Sequence, residues 1–213
     1  MENDKIKVII ADDHPIVRKG LKEIVEEIPG VVVTDEAENG YEVLDKVTGE
    51  NCDLLILDIS MPGMGGLETL TKVKNISTTL KVLIFSIYSE DHYAIRFLKA
   101  GASGYLSKQS EPYAIVEAIN TLIIGEKYFS DDVLQKYIRS KDSDFSLAPH
   151  ETLSNREYEI MLLLASGKRI SGVAKDLLIS AKTVFTHKER IFQKMNIQES
   201  AELTQYAVEH DLL

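Results

Sequence analysis

Short apolar runs alternate with amphipathic stretches along the first half of the chain. Five runs have the length and composition of β-strands: Lys7–Ala11, Val31–Thr34, Leu54–Leu57, Val82–Phe85 and Gly104–Leu106. The stretches that follow them repeat apolar residues at helical spacing: Pro15–Ile28, Tyr41–Gly49, Gly66–Asn75, Asp91–Ala100 and Pro112–Ile124. Strands that alternate with helices predict an α/β fold, an open five-stranded parallel sheet with helices on both faces.

The pattern changes after Gly125. Asp131–Ser140 has the spacing of a short helix, whereas Lys141–His150 is polar and lacks periodicity. From Leu153 onward every periodic segment is helical: Asn155–Ser166, Ile170–Leu177, Ala181–Met195 and Ser200–His210. We therefore predict an α/β domain over residues 1–125, a linker over 126–148 that can contain a short helix, and a small all-α domain over 149–213.

Charge is divided unevenly along the chain. The net charge is −10, of which residues 1–125 carry −8 and the two later regions −1 each. Within Lys182–Lys194, however, four basic residues accompany a single acid, Glu189. This local excess, rather than the charge of the whole chain, determines contact with phosphates. The basic stretch fits either a DNA-binding helix or an ordinary helical bundle with a solvated face, and composition does not separate the two.

Composition also bears on the location of the protein. No run approaches the ~20 apolar residues that span a bilayer. The chain has one cysteine, Cys52, which cannot form an internal disulfide, as expected in a reducing compartment. We expect a cytoplasmic protein without a membrane partner.

Three acidic residues follow two of the predicted strands. Asp12 and Asp13 come directly after the first strand, and Asp58 follows the third. In the flavodoxin-like strand order these two strands are neighbours, and ligands bind beyond their carboxyl ends. Converging carboxylates are costly unless a cation or a proton neutralises them, and oxygen ligands suit Mg²⁺. One such Asp would be a solvated acid, but three at neighbouring strand ends predict a cation site.

Two further polar residues follow the remaining strands. Ser86 comes after the fourth strand and Lys108 after the fifth. A hydroxyl and an ammonium beside a carboxylate–metal site can bind the oxygens of a phosphoryl group. The same edge of the sheet therefore carries the groups that phosphoryl transfer requires.

Four motifs in residues 5–125 resemble the receiver domain of two-component systems: ADDH at 11–14, LDISMPGMGG at 57–66, FS at 85–86 and GASGYLSK at 101–108. The resemblance implies that Asp58 is the phospho-acceptor, that Ser86 and Lys108 contact the phosphoryl group, and that Tyr105 is the aromatic that moves inward. It also implies a Mg²⁺ site whose ligands are Asp12, Asp13, Asp58 and the backbone carbonyl of Ser60.

The last 60 or so residues resemble the LuxR-type helix-turn-helix through LSNREYEIMLLLASGK at 153–168, ISAKTVFTH at 179–187 and the terminal DLL. The whole chain is similar to response regulators of the NarL/FixJ family. Ser180 is a candidate N-cap for the recognition helix. We expect that helix to present its base-reading side chains to the major groove, with two further residues nearer the phosphates. The base-reading residues are Lys182, Phe185, Thr186, Lys188 and Glu189, and the phosphate-proximal ones are Arg190 and Lys194.

These features predict a DNA-binding transcriptional response regulator rather than an enzyme. A sensor histidine kinase or a small phosphodonor would phosphorylate Asp58 with Mg²⁺, which would release the helix-turn-helix and permit a homodimer through Ser200–His210 on double-stranded DNA. RNA polymerase is the further partner expected of a transcription regulator. The alternatives are a Mg²⁺-dependent phosphotransferase, a DNA binder independent of phosphorylation, and a receiver that acts only through protein partners.

Overall fold

The computed structural model describes residues 5–49, 52–88, 90–141, 148–210 and 212–213. The chain forms two compact units, Met1–Asp144 and Phe145–Leu213. Among the described residues, the longest apolar helices fall short of the length and hydropathy that a membrane span requires. Residue 211, the first of the terminal DLL motif, and residues 142–147 of the predicted linker lie outside the described residues.

The first unit contains a five-stranded parallel sheet of order β2-β1-β3-β4-β5. Its strands are β1 (Ile6–Ala11), β2 (Val31–Ala37), β3 (Leu54–Leu57), β4 (Lys81–Ser86) and β5 (Gly104–Ser107). Its helices are α1 (Pro15–Glu26), α2 (Gly40–Gly49), α3 (Gly66–Ile76), α4 (Glu90–Lys99), α5 (Pro112–Ile123) and α6 (Asp131–Lys141). The predicted flavodoxin-like α/β fold is confirmed.

Central and edge strands differ in burial, as their composition indicates. All four residues of β3 are buried, and so are the last four residues of β1 and the last five of β4. Continuous apolar runs of this kind belong to strands that helices cover on both faces. Strand β2 lies at the edge and runs three residues beyond the predicted end at Thr34, because an edge strand tolerates the half-buried Asp35 and Glu36. Lys46 of α2 forms an ion pair with Asp35.

The chain beyond α5 also packs on the first unit. The backbone of Tyr128 pairs with the free edge of β5: Tyr105 N–H donates to the Tyr128 carbonyl at 2.9 Å, and Tyr128 N–H donates to the Ser103 carbonyl at 3.0 Å. Helix α6 follows and packs against α4, with Val133 buried. We call residues 126–130 the strap. The strap and α6 occupy the described part of the predicted linker, and they belong to the first compact unit, which therefore extends past residue 125.

The second unit is helical, as predicted. A 3-10 turn, Pro149–Thr152, precedes α7 (Asn155–Ala165), α8 (Ile170–Asp176), α9 (Ala181–Met195) and α10 (Ser200–Glu209). Ser154 caps α7, and Ser180 caps α9 by accepting a hydrogen bond from the Thr183 N–H at 3.0 Å. The helices enclose a small apolar core of fully buried side chains: Tyr158, Ile160, Met161, Val173, Val184, Ile191 and Leu203.

Two adjacent glycines at the start of α3 provide a matched test of packing. A Cβ on Gly66 would lie 2.4 Å from the Cα of Ile59, whereas a Cβ on Gly65 would meet nothing within 4 Å. We expect Gly66→Ala to lower the free energy of unfolding by about 1–3 kcal/mol through overpacking. Gly65→Ala should change it by less than about 0.5 kcal/mol. Urea unfolding of the full-length variants, followed by circular dichroism, measures both; equal effects would contradict the packing argument.

Candidate functional site

The pairing of β1 with β3 brings three carboxylates to one edge of the sheet. Ala11 pairs with Leu57, and the N–H of Asp58 donates to the Ala11 carbonyl at 2.8 Å. Asp12 and Asp58 therefore leave the sheet side by side, each with a side chain only 1% exposed. Together with Asp13 and His14, they offer four ligand atoms that all lie within 4.8 Å of one another. The strand order thus produces the acidic cluster that the sequence predicts.

Lys108, directly after β5, reaches into this cluster. Its Nζ donates to Asp58 Oδ2 at 2.8 Å and lies 2.5 Å from Asp12 Oδ2 as an ion pair. Burial raises the pKa of Asp58 above its ordinary value, and hydrogen bonds from Lys108 and the Ser60 N–H oppose that rise only in part. Burial alone would lower the pKa of Lys108, but the two carboxylates outweigh it and raise that pKa. Both pKa values are therefore raised, that of Asp58 by burial and that of Lys108 by its two carboxylate partners.

The loop after β3 holds Asp58 from the other side. The N–H of Ser60 donates to Asp58 Oδ1 at 3.0 Å, so hydrogen bonds fix both oxygens of the carboxylate. The role of the Ser60 carbonyl as a cation ligand stays a prediction. These two hydrogen bonds orient the Asp58 carboxylate, and such orientation lowers the entropic cost of a reaction at a side chain.

Arg18 of α1 is a buried residue near the site that the sequence analysis missed. One guanidinium nitrogen donates to the backbone carbonyl of Asp12 at 2.7 Å, and the others bind Glu36 at 3.2 Å and Glu38 at 2.6 Å. Two acids therefore offset the charge of Arg18 while it anchors the loop that carries Asp12. The feature of the sequence that could have indicated this role is the position of Arg18, six residues after Asp12 on an amphipathic helix.

Ser86 and Tyr105 form a second polar group beside Asp58. Ser86 is fully buried at the end of β4, and its Oγ accepts from the Tyr88 N–H at 3.2 Å. The Tyr105 hydroxyl donates to the Tyr88 carbonyl at 3.0 Å, and burial raises the pKa of this hydroxyl. The Tyr105 ring is 3% exposed and packs against Phe97, so in this structure it already has the inward position.

The candidate nucleic-acid surface lies on α9. Lys182, Phe185, Thr186, Glu189 and Arg190 are exposed, with Phe185 at 53%. The opposite side of the helix is buried through Val184, Ile191 and Met195. Gln193 is exposed as well and falls on the outward face, which helical periodicity from Thr186 and Glu189 would have indicated.

Comparison with known proteins decides the family. A model described as the response regulator receiver domain matches residues 8–120, and one described as bacterial regulatory proteins of the luxR family matches residues 151–207. The chain is a response regulator. Its second domain is of the LuxR type, and the family consists of DNA-binding transcription regulators rather than enzymes.

Similar proteins cover nearly the whole of this response regulator. The response regulator UvrY of Escherichia coli K12 is 34% identical over 208 residues, which are 97% of this chain and 95% of UvrY. The response regulator GacA of Pseudomonas aeruginosa is 32% identical over 209 residues, 98% of each chain. Among solved structures, RcsB from Salmonella enterica serovar Typhimurium, bound to a promoter in the presence of phosphomimetic BeF₃⁻, has a TM-score of 0.60 and 26% identity. That alignment covers 95% of this chain and 98% of RcsB.

Three of the seven residues predicted to contact DNA, Thr186, Lys188 and Lys194, have side chains with intramolecular partners in this response regulator. The Thr186 hydroxyl donates to the Lys182 carbonyl at 3.1 Å. Lys188 Nζ lies 4.8 Å from the centre of the Phe192 ring. Lys194 Nζ lies 2.6 Å from Oε2 of the buried Glu157, which also accepts the Ser154 N–H at 2.9 Å. Lys194 thereby joins the end of α9 to the start of α7. Burial would raise the pKa of Glu157, but Lys194 and Ser154 outweigh it and lower that pKa.

The ion pair predicts unequal stability effects for two lysines of α9. Lys194→Met removes the cation from a buried carboxylate, and we expect it to cost about 1–2 kcal/mol, less than a fully buried pair because Lys194 is 43% exposed. Lys182→Met, at an exposed position, should change stability by less than about 0.5 kcal/mol. Thermal unfolding of the full-length variants tests this; equal losses would contradict a bridging role for Lys194.

The same pair predicts a dependence on pH. The folded-state pKa of Glu157 lies below the ordinary value of 4.5, so its stabilising effect is present above that pH and disappears as pH falls through the lowered pKa. The stability difference between the wild type and Glu157→Gln should therefore shrink between about pH 6 and about pH 3. Urea unfolding at a series of pH values measures it. A difference that is constant over this range would show that the charge of Glu157 is not what stabilises the domain.

Proposed function

We propose that phosphorylation of Asp58 switches this response regulator, and that the phosphorylated form binds DNA through α9. The observation that carries the proposal is the buried Asp58 carboxylate at the sheet edge, hydrogen-bonded to Lys108 and next to Asp12. A phosphodonor, either the phosphohistidine of a sensor kinase or a small acyl phosphate, would transfer its phosphoryl group to a carboxylate oxygen of Asp58. One O–P bond forms, and the bond to the donor breaks.

The acidic cluster also fits a divalent cation, which we propose to be Mg²⁺. Three carboxylates lie together here, and the Lys108 ammonium pairs with two of them, Asp12 and Asp58. The cluster therefore lacks positive charge, and its oxygen atoms are the ligands that Mg²⁺ prefers. Asp12, Asp13, Asp58 and the Ser60 carbonyl would hold the ion, which supplies charge that stabilises the transferring phosphoryl group. The Ser86 hydroxyl and the Lys108 ammonium would then bind phosphoryl oxygens, which releases Lys108 from Asp58.

Tyr105 connects the phosphorylation site to the strap. Its hydroxyl contacts the Tyr88 carbonyl near Ser86, and its backbone N–H donates to Tyr128 in the strap. The carboxylate of Glu90, two residues after Tyr88, accepts the Ser130 N–H at 2.8 Å. Movement at Ser86 would therefore reach the strap, and α6 after it, in two ways. One is through Tyr105 to Tyr128, and the other is through Glu90 to Ser130. We propose that these routes carry the signal from the receiver, residues 1–125, through 126–148 toward the DNA-binding domain, residues 149–213.

For the step after phosphorylation, we propose the mechanism that is typical of the family. Phosphorylation frees the recognition helix and allows a homodimer through residues 200–210, whose two-fold symmetry matches half-sites about one helical turn apart. A sensor histidine kinase and double-stranded DNA are the direct partners, RNA polymerase is the further one, and the setting is the cytoplasm. Because Lys194 is paired with Glu157, the exposed residues Lys182, Phe185, Thr186, Glu189 and Arg190 are the stronger candidates for DNA contact.

Incubation with acetyl phosphate tests the acceptor directly. We expect Mg²⁺-dependent incorporation of one acid-stable, base-labile phosphoryl group in the wild type and none in Asp58→Asn. Asp53→Asn is the matched control, since Asp53 lies at the opposite end of β3 and accepts the Lys7 N–H at 2.8 Å. Intact-mass spectrometry measures the modification. Phosphorylation of Asp58→Asn at the wild-type rate would exclude Asp58 as the acceptor.

Hydrogen exchange tests the route through the strap. Addition of beryllofluoride, which mimics the phosphoryl group, should change the amide protection of residues 103–105 and 126–134 in the wild type and leave it unchanged in Asp58→Asn. The edge of β2, residues 31–37, serves as an internal reference, because it lies at the other side of the sheet. If beryllofluoride alters only the loops around Asp58, the strap does not carry the signal.

A further inference from the structure

His14 places a nitrogen atom against the acidic cluster. It occupies the N-cap position of α1, and its backbone N–H donates to Asp12 Oδ1 at 2.8 Å. Its side-chain Nδ1 lies 2.8 Å from Asp13 Oδ1 and 3.2 Å from Asp12 Oδ1. Among the four residues whose ligand atoms converge here, His14 is the one that offers nitrogen instead of oxygen.

These separations lie in the range of hydrogen bonds, and they also match those of neighbouring ligands on one metal ion. With metal–ligand bonds of about 2.1 Å, two adjacent ligands of an octahedral ion lie about 3.0 Å apart. The two distances from His14 Nδ1 to the carboxylates bracket this value. A single Nδ1 carries at most one proton and cannot donate fully to both carboxylates, whereas a cation between the three atoms attracts them all. The His14 side chain is 65% exposed, so its ring can adjust without a change in packing.

We propose that His14 is an additional ligand at this cation site, and that it gives the site a preference for first-row transition-metal dications over Mg²⁺. The inference rests on the proposed function, because the cation occupies the same cluster. Imidazole nitrogen favours Ni²⁺, Zn²⁺ and Cu²⁺, whereas Mg²⁺ prefers oxygen ligands and retains its water. Removal of the nitrogen should therefore weaken the transition metal selectively.

Calorimetric titration of the full-length protein with Ni²⁺ and, separately, with Mg²⁺ at about pH 8, where imidazoles are generally neutral, tests the proposal. His14→Asn keeps an oxygen donor and places a favourable N-cap residue before α1, so the fold is retained. We expect the Ni²⁺ affinity to fall roughly ten- to a hundredfold in His14→Asn, and the Mg²⁺ affinity to change by less than about threefold. The comparison uses only the affinity of the Ni²⁺ that Mg²⁺ can displace.

His210→Asn is the matched control, because His210 and His150 lie together in the second unit with ring centres 5.6 Å apart and can take Ni²⁺ themselves. The Mg²⁺-displaceable Ni²⁺ should bind this variant as it binds the wild type. If Mg²⁺ binds and the ratio of the two affinities is the same in His14→Asn and the wild type, His14 is no ligand and the inference is wrong. If neither ion binds the wild type at a shared site, the proposed cation site fails and the inference fails with it.

Discussion

The parallel pairing of β1 with β3 is the constraint on which the site depends. It delivers Asp12 and Asp58 to the same edge with both side chains buried, and the edge next to them supplies one ammonium, that of Lys108. Burial of like charges is unfavourable, and a single cation shared between two carboxylates offsets it only in part. Burial raises the pKa of Asp58, and the hydrogen bond from the shared Lys108 opposes that rise only in part. A site of this kind favours the binding of a further cation. Under the proposed function, phosphorylation of Asp58 would also change the partners of Lys108.

Under the proposed function, Tyr105 would carry such a rearrangement to other parts of the first unit. Its ring packs against Phe97, and its hydroxyl donates a hydrogen bond to the Tyr88 carbonyl. Its backbone N–H donates to Tyr128, which pairs the strap with the free edge of β5. A buried aromatic that is bonded at both ends cannot move without a change in one of those bonds. Under the proposed function, the strap would therefore respond to a change at the site, and it precedes the α6 helix.

Much of the fold and the acidic cluster could be predicted from the sequence, because the signals are local. Apolar runs identify the buried strands, and the residues that follow parallel strands must share one edge. The strap could not be predicted in this way, because its pairing with β5 uses backbone atoms and the letters around Tyr128 show no strand alternation. The Lys194–Glu157 pair joins residues 37 positions apart, so the sequence does not show that a basic residue assigned to DNA contact also has a partner within its own domain. The sequence pattern ends β2 too early, at Thr34, because the polar residues Asp35 and Glu36 are tolerated in a strand only at the edge of a sheet.

In the proposed function, phosphorylation of Asp58 controls DNA binding by α9. Selection of sequences from a random pool of double-stranded DNA, carried out with the phosphorylated protein and with Asp58→Asn under the same phosphodonor conditions, tests this claim most directly. We expect the phosphorylated protein to enrich a motif with two related half-sites, and Asp58→Asn to enrich the same motif far more weakly. Equal enrichment by the two proteins would show that DNA binding is independent of Asp58 and would contradict the switch.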